Sequence, residues 1–224
     1  DERSSEFLSS RDNWFRPVNF VNGPDGAIYV LDMYRETIEH PYSVPEDIKK
    51  YLRLESGDDR GRIYRLVPPK WKHPKPVKLA AANSDDLVKA LDSDNGWTRQ
   101  TAHRLLWERN DRRTFPLLIK TAMHSAHPLA RVHSLWILHG LQALENKVLV
   151  AALGDPSPRV REHAIVLAED RLDDAVFHPA LARLSGDPDP RVRYQLAFSL
   201  GTVGTAHRQL PLSQLAKRAP ADNH

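Results

Sequence analysis

The chain contains no cysteine. That excludes disulfides, thiolate metal sites, cysteine nucleophiles and the C-x-x-C-H haem attachment motif within it, and it leaves the redox compartment open. Long apolar runs are also missing. The longest are a handful of residues, too short for a transmembrane span. A basic-then-apolar leader is not visible either. A dense basic stripe is a third absence. Thirty-two Lys and Arg stand against 29 Asp and Glu, interleaved along the chain, for a formal charge of +3. Nucleic-acid binding is not expected of that pattern. The one basic run, Lys70-Trp71-Lys72-His73-Pro74-Lys75-Pro76-Val77-Lys78, reads as a solvated, proline-stiffened linker. What is present is ordinary for a folded chain: 224 residues, 41% apolar and 27% charged, enough for one large domain or two small ones.

The first part reads as strands. Trp14 to Phe20 and Ala27 to Leu31 are rich in β-formers, with Asn22-Gly23-Pro24-Asp25-Gly26 between them as a hairpin turn. Proline presets φ, aspartate bonds its own backbone, and glycine supplies the positive φ. A third strand, Gly61 to Val67, is stopped by Pro68-Pro69. Residues 33–60 interrupt the sheet and include an expected short helix from Pro45 to Leu54, with Glu46 and Asp47 in its first turn. An excursion of this length is usually functional or forms an interface. Three strands with open faces and edges do not make a stable domain. The chain is therefore expected to be a fragment whose other strands lie upstream.

These residues carry a resemblance. Phe15-Arg16-Pro17, Gly23-Pro24-Asp25-Gly26, Ile28-Tyr29-Val30, Asp32 and Gly61-Arg62-Ile63-Tyr64-Arg65 resemble the last blade of glucose/sorbosone dehydrogenase-like β-propellers. With Tyr34 and Ile38-Glu39-His40-Pro41 added, the run is similar to the large bacterial proteins called membrane-bound dehydrogenases, in which a propeller is followed by HEAT repeats and often by a cytochrome c-type domain. The resemblance implies pyrroloquinoline quinone and calcium at the mouth of the parent propeller, a sugar or alcohol substrate, and an extracytoplasmic location. Arg16 falls near the position where such enzymes grip quinone carboxylates, a task suited to a guanidinium fork. The pattern departs at once, because Pro17-Val18 follow where a second arginine is expected. His40 is the candidate proton acceptor or metal ligand and Asp32 a candidate metal ligand; their structural alternatives are fixing the insertion loop through a hydrogen bond and capping a strand end or turn.

The second part repeats. Leu87-Val88-Lys89-Ala90-Leu91 recurs from Leu118, Leu149 and Leu181, at intervals of 31, 31 and 32. Arg99, Arg131, Arg161 and Arg193 keep step with it. Gly154-Asp155-Pro156-Ser157-Pro158-Arg159-Val160-Arg161 parallels Gly186-Asp187-Pro188-Asp189-Pro190-Arg191-Val192-Arg193. Each glycine is expected to end a helix in the left-handed region, Ser157 or Asp189 to cap the next, and the proline to take its first position. The following helix is expected to bury Val160, Ala164 and Leu167, and in the copy Val192, Leu196 or Ala197, and Leu200. Ala102, Ser134 and Ala164 allow close approach of helices. The spacing and the Asp-Pro-x-x-Arg-Val-Arg pattern resemble HEAT repeats. Each repeated arginine is expected to pair with an aspartate in an inter-repeat turn, such as Asp155 or Asp187.

The fold class that follows is mixed. Residues 1–68 form an incomplete propeller blade with an insertion at 33–60, 69–83 a linker, 84–219 an all-α HEAT solenoid and 220–224 a tail. His124, His127, His133 and His139 lack accompanying carboxylates at ligand spacing, so no metal site is expected of them. Trp97, Trp107 and Trp136 read as core and inter-repeat packing. No nucleophile–base pair is present. Two functions remain: a fragment of a quinoprotein-like sugar or alcohol dehydrogenase whose solenoid holds the propeller or an electron-transfer partner, and a non-catalytic protein-binding scaffold with a degenerate propeller.

Overall fold

The computed structural model describes residues 6–75, 77–202 and 204–218. The expected tail at 220–224 lies outside the described residues, as do Pro76 of the linker and residue 219. The chain divides into two compact units, Asp1–Val77 and Lys78–His224.

In the first unit three strands, β1 (Pro17–Asn22), β2 (Ile28–Asp32) and β3 (Arg62–Leu66), form one antiparallel sheet in the order β1-β2-β3. The hairpin closes as its turn chemistry demands. Gly23 N–H donates to the Ala27 carbonyl at 2.8 Å, and Gly26 takes a φ of 76°. The Asp25 carboxylate accepts from Ala27 N–H and from the Tyr29 hydroxyl. β1 begins at Pro17 rather than Trp14, because Asp12 draws Trp14 N–H onto its side chain and Phe15 N–H onto its carbonyl. The register slips between Pro17 and Asn19, where proline has no N–H to donate to the ladder.

The insertion holds one short helix, α1 (Glu46–Lys49), followed by successive turns. The longer helix expected to Leu54 is not formed. So short an isolated segment is too costly to propagate, and the chain must instead bring Gly57, at φ 89°, against Tyr34. A Cβ at Gly57 would lie 2.3 Å from the Tyr34 carbonyl oxygen. Val30 is fully buried, whereas all six residues of β1 are exposed, Val18, Phe20 and Val21 among them. A propeller is more than these three strands provide.

The second unit is helical: α2 (Ser84–Ala90), α3 (Gly96–Arg109), α4 (Phe115–His124), α5 (Pro128–Gly140), α6 (Asn146–Ala152), α7 (Pro158–Ala168), α8 (His178–Leu184), α9 (Pro190–Ser199) and α10 (Thr205–Arg218). Successive helices pair, α2 with α3, α4 with α5, α6 with α7 and α8 with α9. The pairs stack in two layers, α3, α5, α7 and α9 in one, and α2, α4, α6, α8 and α10 in the other. One continuous apolar core runs through the stack. The marker residues Leu87, Leu118, Leu149 and Leu181 are all buried in it, as are Val160, Ala164 and Leu167. In the copy Val192, Leu196 and Leu200 are buried, while Ala197 faces out. Ala102, Ser134 and Ala164 have no exposed surface, which fits their place at close helix crossings.

Two capping expectations need correction. Gly154 and Gly186 are not left-handed; the helices before them end in right-handed residues, Leu153 and Ser185. A Cβ at Gly154 would make only ordinary contacts, 3.4 Å from the Ala151 carbonyl oxygen and from Arg183 Nη2. The left-handed endings fall instead on Asn110 after α3 and Gln142 after α5. Asp189 caps α9 by accepting from Arg191 and Val192 N–H, but the Ser157 side chain makes no such bond at α7.

Leu149→Ala should cost about 2–5 kcal/mol, as deletion of a fully buried side chain does. Urea denaturation followed by circular dichroism reads this, and an unchanged midpoint would place Leu149 outside the packed core.

Candidate functional site

The four repeated arginines occupy equivalent places near the starts of α3, α5, α7 and α9. Each donates from Nη1 to the carbonyl six residues before it: Arg99 to Ser93, Arg131 to Ser125, Arg161 to Asp155 and Arg193 to Asp187. That contact ties the helix to its own turn. In Arg131 and Arg161 the remaining fork reaches the next unit. Arg131 Nε and Nη2 donate to the two oxygens of Asp155, both at 2.8 Å, and Arg161 does the same to Asp187, both at 2.7 Å. These pairs are nearly buried. They are tolerable there because the carboxylates are otherwise satisfied: Asp155 also accepts from Ser157 N–H and Asp187 from Asp189 N–H.

A second row runs beside the first. His103 on α3, His133 on α5 and His163 on α7 are half-buried. His103 Nδ1 and His133 Nδ1 are 3.0 Å apart, so one must carry the proton and the other accept it. Trp136 Nε1 donates to His163 Nδ1 at 3.2 Å, which places that ring's proton on Nε2. Burial pushes all three pKa values down. His133 falls to about 4, through burial first and then through His103, Arg99 and His163. The spacing of 30 residues was visible in the sequence, but a search for metal ligands looks for convergence and passes over a row.

Among the described residues no three His, Asp or Glu side chains come together as metal ligands. His124 and His127 line different clefts. Trp97 and Trp136 pack partly buried against the helical core. Trp107 does not. It is 54% exposed, and its indole lies over Gly140, where a Cβ would come within 2.9 Å of Nε1.

In the first unit Arg16 and Asp32 are brought together and His40 is not. Asp32 is 3% exposed; its Oδ1 accepts from Arg16 N–H at 2.7 Å and Tyr34 N–H at 2.9 Å, and its Oδ2 is buried without a hydrogen-bond partner. The Arg16 guanidinium donates to the Asn13, Phe15 and Glu36 carbonyls. His40 is exposed, accepts from Tyr42 N–H at 3.3 Å and stacks on the Tyr42 ring. A cleft of about 670 Å³ opens beside Trp14 and residues 52–60, and none of the three lines it. The described residues do not by themselves fit a quinone or a calcium ion: the Arg16 fork is spent on backbone carbonyls, and Asp32 has no companion ligands among the described residues. No helix among the described residues is long and apolar enough to cross a membrane.

Residues 146–223 match the family model for HEAT repeats, and residues 1–70 match a model described as a domain of unknown function, DUF7133. The chain matches no curated protein. The helix pairs before residue 146 repeat the geometry of the matched stretch, down to the arginine contact with its own turn.

Asp187→Ala should cost about 3–5 kcal/mol, since it strands a nearly buried guanidinium; denaturation midpoints of this variant and of Arg161→Ala, with the double variant closing the cycle, measure the coupling. A pH dependence follows from His133. Its ordinary value is 6.5, so below that the unfolded chain takes a proton that the folded protein refuses. Stability is full above about pH 6.5 and falls as the pH drops toward 4. His133→Gln should flatten this slope in melting temperatures taken from pH 7.5 to 4.5; an identical slope would remove His133 from the account.

Proposed function

We propose that the helical unit is a scaffold that binds a protein partner across its stacked repeats. One observation carries this reading. The repeats form a continuous, internally braced stack, with no metal cluster among the described residues. An array of this kind presents an extended surface rather than a closed pocket.

The more specific proposal is that the scaffold serves an extracytoplasmic, quinoprotein-like sugar or alcohol dehydrogenase. Its support is the resemblance of residues 12–67 to a terminal propeller blade, together with a sheet whose β1 is exposed along its whole length. In this reading the quinone, the calcium and the base belong to blades upstream. This chain contributes the closing strands and the arm that holds the propeller or a cytochrome c-type partner. The rival reading, a scaffold whose propeller has lost its site, draws on the same solenoid and on the engagement of the Arg16 guanidinium by backbone carbonyls.

The full-length parent, supplied with quinone and calcium, should reduce dye when given sugars or simple alcohols. Cross-linking it to its electron acceptor should place links on the exposed lysines Lys89 and Lys147 of the solenoid. Absence of cofactor uptake by an intact parent overturns the dehydrogenase proposal and leaves the scaffold. Cross-links confined to the strands overturn the scaffold.

A further inference from the structure

The arginine ladder has a rung with no acid. The carboxylate gripped by each arginine belongs to the residue six before the next arginine: Asp155 stands six before Arg161 and takes Arg131, and Asp187 stands six before Arg193 and takes Arg161. By the same rule Arg99 should grip the residue six before Arg131, which is Ser125. Serine has no carboxylate, and its hydroxyl is turned away to donate to Asp92. Arg99 keeps the Nη1 contact to its own turn, to the Ser93 carbonyl at 2.6 Å. Its Nε is buried and has no hydrogen-bond partner.

A cavity lies at the same place. It measures about 190 Å³ and is lined by Ser93, Asp94, Arg99, His127, Pro128 and Leu129, residues from the two turns that a complete rung would join. Its size admits a carboxylate and a short stem. Asp94 is exposed and forms no ion pair among the described residues.

We infer that this open rung is a carboxylate-binding site. A carboxylate entering the cavity takes the place that Asp155 and Asp187 hold on the neighbouring rungs, and accepts in fork geometry from Arg99 Nε and Nη2. The stacked helices hold the guanidinium in place beforehand, so binding has little ordering to offset. Two sources carry this chemistry: a free small carboxylate, and an Asp or Glu side chain of a protein partner. The second source rests on the scaffold reading; the site itself does not.

The probes are sodium acetate and a capped acidic hexapeptide, each added to the whole chain against sodium chloride of equal ionic strength. Arginine Nε–H resonances are the readout. Acetate should shift the Arg99 Nε–H signal saturably. Ser125→Asp paired with Asp92→Asn should abolish that response and raise the melting temperature, because the chain then supplies its own rung; the Asp92 change removes the carboxylate that Ser125 now touches. Arg99→Lys, checked for an unchanged circular dichroism spectrum, should weaken any acetate response in melting temperature at least tenfold. Asp94→Asn should strengthen binding by removing a like charge from the rim. Peptide binding that acetate displaces assigns the site to a protein partner, and acetate binding without peptide binding assigns it to free carboxylates. A response to acetate no larger than to chloride overturns the inference, and so does an undiminished response in the Ser125→Asp, Asp92→Asn variant.

Discussion

At two joints of the second unit, α5 to α7 and α7 to α9, successive helix pairs are held in register by one guanidinium shared between two turns. Apolar burial drives the stacking, but it is non-directional and permits neighbouring pairs to slide or rotate. The arginine removes that freedom. Nη1 fixes it to the turn before its own helix, and Nε with Nη2 fixes the following turn to it, so three segments meet at one planar group. A buried ion pair is weak support for stability where its partners are half-satisfied. Here the aspartates also accept backbone N–H groups at the starts of the helices they precede, and the charge is spread over a network. The pair sets geometry more than it adds stability, and a scaffold needs geometry, because its binding surface is the sum of many small angles between units.

The helical half was legible because two independent markers kept phase. Leucines at intervals of 31 or 32 report core positions, and arginines in step with them report turn positions. Together they fix both the period and the two faces of each unit. The details that failed were those the residue type alone does not decide. Ser157 is a good cap by type, yet it leaves the first turn of α7 uncapped, whereas Asp189, with its longer carboxylate, caps the equivalent turn of α9. Gly154 looks like a left-handed terminator, but the helix before it ends in right-handed residues and the chain turns without a positive φ there. The open rung at Ser125 could have been read by aligning the turns, yet its meaning needs the guanidinium, the cavity and the turned hydroxyl together.

The first unit was legible as a hairpin with a third strand, because turn chemistry and proline placement are local signals. Its function was not. A propeller site is built from many blades, and three strands contain too little of it for any residue to be judged by its companions. The three candidates also have local occupations. The Arg16 guanidinium props the segment from Asn13 to Glu36, Asp32 ties Arg16 to Tyr34, and His40 steadies the short turn at Tyr42. The buried, unpartnered oxygen of Asp32 is the one polar atom of the three that local structure does not account for.

The joints of the solenoid are therefore not equal. Between α5 and α7, and between α7 and α9, a complete fork spans the interface. Between α3 and α5 the fork has no acid; the polar contacts that cross instead are Ser125 to Asp92, from turn to turn, and His103 to His133, which exists only while the pair carries a single proton between the two facing nitrogens. Acidification removes the histidine contact and adds charge beside Arg99, whereas a bound carboxylate adds the missing counter-charge. Protons and carboxylates thus act on the same joint in opposite directions. The α3–α5 interface is the joint whose arginine fork stands open, and its register rests on the histidine pair, the Ser125–Asp92 contact and apolar packing alone.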